Sequence, residues 1–453
     1  MINRYRVIHF VGIGGIGMSG IAEVLHNLGY EVTGSDIKHS DTTKRLESIG
    51  IKVSIGHKAE NIGKAHVIVI SSAIKGDNPE VVESKKRGIP VIPRAEMLAE
   101  LGRLKYGILV AGAHGKTTTT SLLSTLLSDG GFDPTVIIGG KLNSMGSNAR
   151  LGQGNFIIAE ADESDGSFLK LSPSIAVVTN IDNEHLDFFG TLQNIKSAFL
   201  EFINKVPFYG FSVLCLEDSN IRELIPFIDR RFITYGLTSQ ADAYAFNIVE
   251  STLRMSFDVV YDRKDLGRFE IPMAGVHNVL NSLASIIVSY ELNMPVSTIK
   301  ESLANFKGIH RRLQYKGSFK GVKIFDDYGH HPTEIKATIK ALRGSFKTEK
   351  INVVFQPHRY TRTQSLLNEF ADAFWDANVV YMLDIYPAGE RPIEGISTNT
   401  IVEKMLQRGY KSVCYTKDIQ ETARQIVKDL KDGDILLTLG AGDVYKVGEM
   451  VLK

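Results

Sequence analysis

Short apolar runs alternate with segments of helical period along most of the chain, the pattern of parallel sheets assembled from strand–helix–strand units. VIHFV at 7–11 reads as a first strand, residues 18–27 as a helix and residues 31–34 as a second strand; apolar runs at 67–70 and 90–92 continue the series. A second unit begins near Tyr106, where GILVAG is a buried strand entering a glycine turn and then a helix over 116–127. FIIAEAD and IAVVTN follow as strands that end in acidic or polar residues, and residues 239–271 alternate as β structure before the helix opened by HNVLN. A third unit starts near Arg311, with strands at INVVF, NVVYMLD and DILLTLG. The fold class these periods predict is α/β.

Length agrees: 453 residues exceed one ordinary core and suggest about three domains. Composition is that of a globular protein, 43% hydrophobic and 23% charged, with 52 basic side chains against 51 acidic ones. A net charge of +1 makes no electrostatic case for a nucleic-acid or membrane partner. Cys215 and Cys414 are too few and too far apart for a disulfide framework or a zinc site, which fits a reducing compartment. The opening MINRYRVIHFVGIGG runs straight into a glycine turn without a cleavage signal, so it reads as a strand. No apolar stretch approaches the roughly 18 to 20 residues that span a bilayer. The expected location is the cytoplasm.

Candidate chemistry begins at Ala111-Gly-Ala-His-Gly-Lys-Thr-Thr-Thr-Thr120, a strand-to-helix junction where backbone N–H groups and the helix dipole favour phosphate. Gly112 and Gly115 let the backbone approach the oxygens, Lys116 would reach the β- and γ-phosphates, and the Thr117 hydroxyl would ligate Mg²⁺. The loop is short: Val110 stands where the longer standard pattern has glycine. Threonines at a helix start could simply add local hydrogen bonds, but a Gly-Lys-Thr turn after a buried strand has few structural uses. Downstream, Glu160, Asp162 and Glu163 stand at the carboxyl end of one strand and His185 beyond another, where open α/β sheets hold their ligands. Magnesium prefers carboxylate and phosphate oxygens, which makes Glu160 the natural ligand and His185 the less expected one.

The short phosphate loop with these residues resembles the Mur ligase family, the enzymes that assemble the peptide of bacterial cell-wall precursors. MAGVHNVLNSLAS, HRRLQYKG, IFDDYGHHPTEIKA, FQPHRYTRT, DIYPAGERPIEGI, LLTLGAGDVYKVGE and the opening HFVGIGGIGMSGIAEVL extend the resemblance over the whole chain, toward the branch that adds alanine. It implies three domains: 1–103, Rossmann-like, for a UDP-sugar; 104–310, a central P-loop ATPase with a mainly parallel sheet; and 311–453, Rossmann-like, closing over the site. UDP-N-acetylmuramate, L-alanine and ATP with Mg²⁺ are the implied reactants, and a monomer or weak homodimer is the expected assembly. The implied chemistry is attack of the sugar carboxylate on the γ-phosphorus, then attack of the amine on the acyl phosphate and loss of phosphate.

Roles carried over by the resemblance are specific. Gly112, Ala113, His114, Gly115, Lys116, Thr117 and Thr118 cradle the nucleotide phosphates; Thr117 and Glu160 hold one metal and His185 a second. Asn278 reads the adenine edge, and Arg312 and Asp327 meet the phosphates and ribose. His330, Arg359 and Arg362 lie with Lys116 among the catalytic groups, since two forked guanidiniums suit an acyl phosphate or a carboxylate. Sister ligases carry a carbamylated lysine after the HLD motif; the corresponding position is Phe199, so no carbamate is expected.

The first glycine turn admits two readings. Gly12-Ile-Gly14-Gly-Ile-Gly17, with Asp36 after the next strand, is locally the fingerprint of a nicotinamide dehydrogenase. The same geometry offers N–H groups to any diphosphate, and the family resemblance assigns Gly14, Gly15, Gly17, Asp36, Ser71 and Ser72 to the UDP-sugar. A ligase that recycles a whole tripeptide onto the same sugar acid is the other alternative. A nucleotide-regulated binding protein without chemistry is the last.

Overall fold

The computed structural model describes residues 6–71, 73–102, 105–138 and 149–453. Its apolar runs form three sheets flanked by helices. In the first, five parallel strands lie in the order Lys52–Ile55, Glu31–Asp36, Val7–Val11, Val67–Ile70, Val91–Pro93. Val7–Val11 thus has later strands on both sides, and a crevice opens beyond its carboxyl end, where ligands of such sheets bind. Gly12 follows there. The second strand continues to Asp36, two residues past the expected end, because Ser35 still pairs with Val11 and Asp36 with Ile55. The helix that follows the turn starts at Ile16 rather than residue 18, with extended Gly15 as its N-cap.

The second sheet repeats the device. Ten strands run Lys264–Ile271, Arg254–Tyr261, Ala243–Ser251, Phe232–Gly236, Phe211–Cys215, Ile175–Val178, Tyr106–Ala111, Phe156–Glu160, Thr135–Ile137, Ala149–Arg150. Tyr106–Ala111 lies between Phe156–Glu160 and Ile175–Val178, both parallel to it, and its side chains from Gly107 onward are buried. The glycine turn and the helix Lys116–Asp129 leave from its carboxyl end. The alternating stretch 239–271 resolves into three strands, whereas the antiparallel pair Thr135–Ile137 with Ala149–Arg150 gave no sequence signal.

The third sheet has the order Gln314–Phe319, Val322–Asp327, Ile435–Leu439, Ile351–Phe355, Val379–Met382, Val413–Tyr415, parallel except for its first, antiparallel pair. Apolar clusters cover both faces, one around Phe325, Ile335, Phe355 and Phe374 and the other around Ile324, Val354, Leu436 and Val447. A sheet buried on both faces reads as the continuous apolar runs INVVF and ILLTL. The chain packs as two compact units: Met1–Phe246, Asp258–Phe269 and Leu280–Lys307 in one, Asn247–Phe257, Glu270–Val279 and Gly308–Lys453 in the other. The expected boundary between residues 103 and 104 lies outside the described residues. Among the described residues no helix is long and apolar enough to cross a membrane.

Candidate active site

In the first unit the loop after Ala111 is shaped by the strand next to it. The amide of Ala113 donates to the Asn180 carbonyl at 3.2 Å, and the amide of His114 to Asn180 Oδ1 at 2.8 Å. Thr179 Oγ1 and Asn180 Nδ2 in turn donate to the His114 carbonyl, at 2.6 and 2.9 Å. His114 Nε2 meets Asp182 Oδ2 at 3.0 Å. The amides of Ala113 and His114 are therefore committed to holding the loop, which narrows the expected cradle to the residues after them. Gly112 has φ +133°, and a Cβ there would collide with Thr179 Oγ1 and lie 2.9 Å from the Asn180 carbonyl. Gly115, at φ +84°, caps the helix Lys116–Asp129 without any side-chain capping bond, so the helix start presents bare N–H groups. Thr117 is half-buried and Thr118 buried in the first turn.

Lys116 turns back over this loop. Its Nζ donates to the carbonyls of Gly112 and Ala113 and to both oxygens of Glu163, at 2.7 and 2.9 Å. Burial by itself depresses the ammonium, but the facing Glu163 carboxylate outweighs it and holds Lys116 protonated. Burial pushes the Glu163 carboxyl up, and Lys116 offsets part of that rise. Glu163, 3% exposed, stood among the acidic residues the sequence placed at the ligand end of the strand but was given no role, because nothing local distinguished it from Glu160.

His185, at left-handed φ +57°, brings Nε2 to 3.9 Å from Glu163 Oε1 and 3.7 Å from Glu184 Oε2. One donor atom from each of Glu163, Glu184 and His185 lies within 4.8 Å of the others, a set of two carboxylates and an imidazole that fits a divalent cation. The close donors around His185 are thus Glu163 and Glu184, while Glu160, expected with Thr117 on the other metal, ends its strand opposite Val110. Asn281, also absent from the expected set, sits against Gly115: its Oδ1 accepts from Thr119 Oγ1 at 3.3 Å and would lie 2.6 Å from a Cβ on Gly115.

The first glycine turn is filled differently. Asp36 Oδ2 accepts from the Gly14 amide and Oδ1 from the Ile37 amide, each at 2.8 Å. Both oxygens of Asp36 thus accept from their own chain, each with acceptor capacity left over. The amides of Gly12 and Ile13 donate to the Ser35 carbonyl, and the Gly15 amide to the Gly12 carbonyl at 3.2 Å. Ser71 Oγ stands 3.2 Å from where a Gly12 Cβ would be; Ser72 lies outside the described residues. Beneath the turn, buried Glu80 accepts from Ser35 Oγ at 2.6 Å and Asn61 Nδ2 at 2.5 Å, with His9 Nε2 3.8 Å away. Burial opposes its charge, yet bonds from His9, Ser35 and Asn61 prevail and lower its pKa to about 2.

The second unit gathers the remaining expected residues. Asp327 accepts from the amides of Leu313 at 2.6 Å and Gly329 at 2.7 Å, while burial pushes its carboxyl up to about 6 against the pull of Arg312. Arg312 Nη1 is 3.5 Å from Glu334 Oε1, and Glu334 Oε2 accepts from the His330 amide at 3.0 Å. Asn278 Nδ2 donates to the Ala274 carbonyl at 2.8 Å. Arg359, at φ +73°, starts the helix Tyr360–Ser365, and Arg362 Nη1 lies 3.3 Å from Nδ1 of His358. The His358 ring stacks on Tyr386 and meets His330 edge-on, each with centroids 5.6 Å apart. Burial, with His330 and both arginines close by, depresses His358 to about 3, so it stays neutral among cations.

Three family models match in register: the Mur ligase family catalytic domain over residues 7–106, the Mur ligase middle domain over 110–289, and the Mur ligase glutamate ligase domain over 311–442. A UDP-N-acetylmuramate–L-alanine ligase of Desulfatibacillum aliphaticivorans is 55% identical over 452 residues, covering 100% of this chain and 99% of that one. The solved UDP-N-acetylmuramate-alanine ligase of Thermotoga maritima superimposes with a TM-score of 0.84 at 29% identity, covering 98% of each chain. A murein peptide ligase of Psychrobacter arcticus shares the fold, with a TM-score of 0.74 at 22% identity over 98% of each chain. Sequence and three-domain fold together assign the chain: it belongs to the Mur ligase family.

Proposed function

We propose that the chain joins L-alanine to the carboxylate of UDP-N-acetylmuramate at the expense of ATP, releasing ADP and phosphate. Lys116 carries the reading: a half-buried ammonium curled over an uncapped helix start, held by two loop carbonyls and one carboxylate. Phosphate arriving at that helix start would meet N–H groups and draw the ammonium from Glu163, neutralising charge that otherwise repels the attacking carboxylate. Glu163, Glu184 and His185 would hold one Mg²⁺, and Thr117 with Glu160 a second, as the family resemblance implies. When bound, the cation supplies charge neutralisation on the transferring phosphoryl group.

The remaining assignments follow the same reading. Arg359 and Arg362 offer forked donors to the acyl phosphate or the carboxylate, and His330 stands with them. Asn278, Arg312 and Asp327 take the nucleotide, and the turn at Gly14, Gly15 and Gly17, with Asp36 and Ser71, takes the UDP-sugar. The relatives' full-length identity favours alanine over the tripeptide as the amine. Divisions at residues 103 and 310, a cytoplasmic location and a monomer or weak homodimer complete the proposal.

The acyl-phosphate route has a direct test. When the carboxylate carbon becomes an amide it keeps one of its two oxygens, and the other departs with phosphate. UDP-N-acetylmuramate labelled with oxygen-18 in the carboxylate therefore yields labelled inorganic phosphate, read by mass spectrometry. Unlabelled phosphate from productive turnover would exclude this route.

A further inference from the structure

Arg94 opens the helix Arg94–Gly102, where the helix dipole disfavours a cation. Its Nη2 donates to Asp162 Oδ2 at 3.0 Å, across 68 residues of sequence. On the other side the guanidinium presses on the first glycine turn: a Cβ on Gly17 would lie 2.7 Å from Nη1 and 3.2 Å from Cδ. The absent side chain at Gly17 thus makes room for Arg94, which local sequence attributed to ligand approach. Asp162 Oδ1 accepts from the Ser164 amide at 3.1 Å, so the carboxylate also fixes the loop that carries Glu163 and, through it, Lys116. A second pair, Lys170 with Glu96 at 3.4 Å, ties the same helix turn to the segment after that loop.

Stability does not account for this arrangement. The side chains are 25% and 40% exposed, and pairs so open to water contribute little. Position does account for it, because the forked donor of Arg94 spans the first glycine turn and the Asp162 loop, whose Glu163 holds Lys116.

We infer that Arg94 is a positioning residue that couples the sugar-nucleotide turn to the phosphate loop, so that an occupied first turn sets the Asp162–Glu163 segment and with it Lys116. The inference rests on the proposed function, since it takes the two turns as sites for the UDP-sugar and for ATP. Its readout is equilibrium binding by the full chain, which needs no turnover. A non-hydrolysable ATP analogue is titrated with and without saturating UDP-N-acetylmuramate. In the native protein the sugar nucleotide changes the analogue's Kd by about tenfold, within the usual range for coupled sites.

Arg94→Ala and Asp162→Asn each bring that ratio close to one, while either ligand alone binds within about twofold of native. The double variant loses no more than the single ones. Arg94→Lys, which keeps the charge and loses the fork, gives the same loss and serves where the other variants unfold. A native ratio of one, an unchanged ratio in Arg94→Ala, or additive losses in the double variant would each overturn the coupling role. Weaker UDP-N-acetylmuramate binding by Arg94→Ala with the ratio intact would also overturn it, making Arg94 a direct ligand contact. Failure of the native chain to bind UDP-N-acetylmuramate at all would instead bring down the functional reading, and the inference with it.

Discussion

The chain turns from strand to helix through glycine at Gly12–Gly17 and again at Gly112–Gly115, and side chains of opposite charge bond the backbone of the two turns. At the first, the Asp36 carboxylate accepts the loop's own amide; at the second, the Lys116 ammonium donates to the loop's own carbonyls and to Glu163. Glycine spacing tells only that a phosphate can come close to the backbone. The stored charge tells what happens next: a fixed carboxylate shapes a binding turn, whereas a cation on a long side chain can follow a phosphoryl group as it moves.

If that distinction holds, removing the stored cation is the most damaging change. Lys116→Ala should lower kcat by about 10³-fold, the scale of losing a charge that stabilises phosphoryl transfer. It should also leave Glu163 buried without its cation, so Lys116→Ala/Glu163→Gln unfolds at a higher temperature than Lys116→Ala. Near-native turnover by a folded Lys116→Ala protein would erase the contrast between the turns.

A smaller effect separates the backbones. Gly112→Ala forces a Cβ onto Thr179 and the Asn180 carbonyl at a φ that side chains avoid, and should cost about 3 kcal/mol of stability. At Gly14 the neighbours are side-chain tips, Asp36 Oδ2 at 2.8 Å and Thr43 Cγ2 at 3.0 Å, and Gly14→Ala should cost about 1 kcal/mol. Urea unfolding followed by circular dichroism ranks them. Equal costs would mean that the second turn is no more tightly clamped than the first.

The smallest effect is one of pH. Glu80 props the first turn through Ser35, and its folded pKa of about 2 lies below the ordinary 4.5. A depressed carboxyl stabilises the fold above the unfolded value and loses that contribution as pH falls from 4.5 toward 2. Unfolding midpoints of the native chain should therefore fall between pH 5 and pH 3 by more than those of Glu80→Gln. Parallel curves would remove Glu80 as a support of that turn.

Much of this was legible in the chain's periodicity. Val67–Ile70 and Ile351–Phe355 have the bounds their apolar runs suggest, because buried parallel strands announce themselves locally. Lys116 was legible because its glycine turn has so few other uses. The pairing of Glu163 with Lys116 was not, nor were Asn180, Asn281 and Arg94, since each acts on a partner more than 45 residues away and carries no local signature for it. Ala149–Arg150 was missed for a different reason: two residues are too short for any period. The commitment of Asp36 to Gly14 was hidden as well, since a fingerprint fixes the spacing of a carboxylate but not what its oxygens accept.

Phe199 bears on how the chain should depend on its atmosphere. It is 1% exposed, with its ring centroid 5.3 Å from that of Phe168, and the lysine on the same helix, Lys196, is occupied by Glu223 at 2.7 Å. An enzyme that depends on a lysine carbamate is active only in the fraction that dissolved carbon dioxide keeps carbamylated. By the count from the HLD motif that the family resemblance supplies, Phe199 takes the place of that lysine, so turnover is expected to be the same in degassed buffer as in bicarbonate.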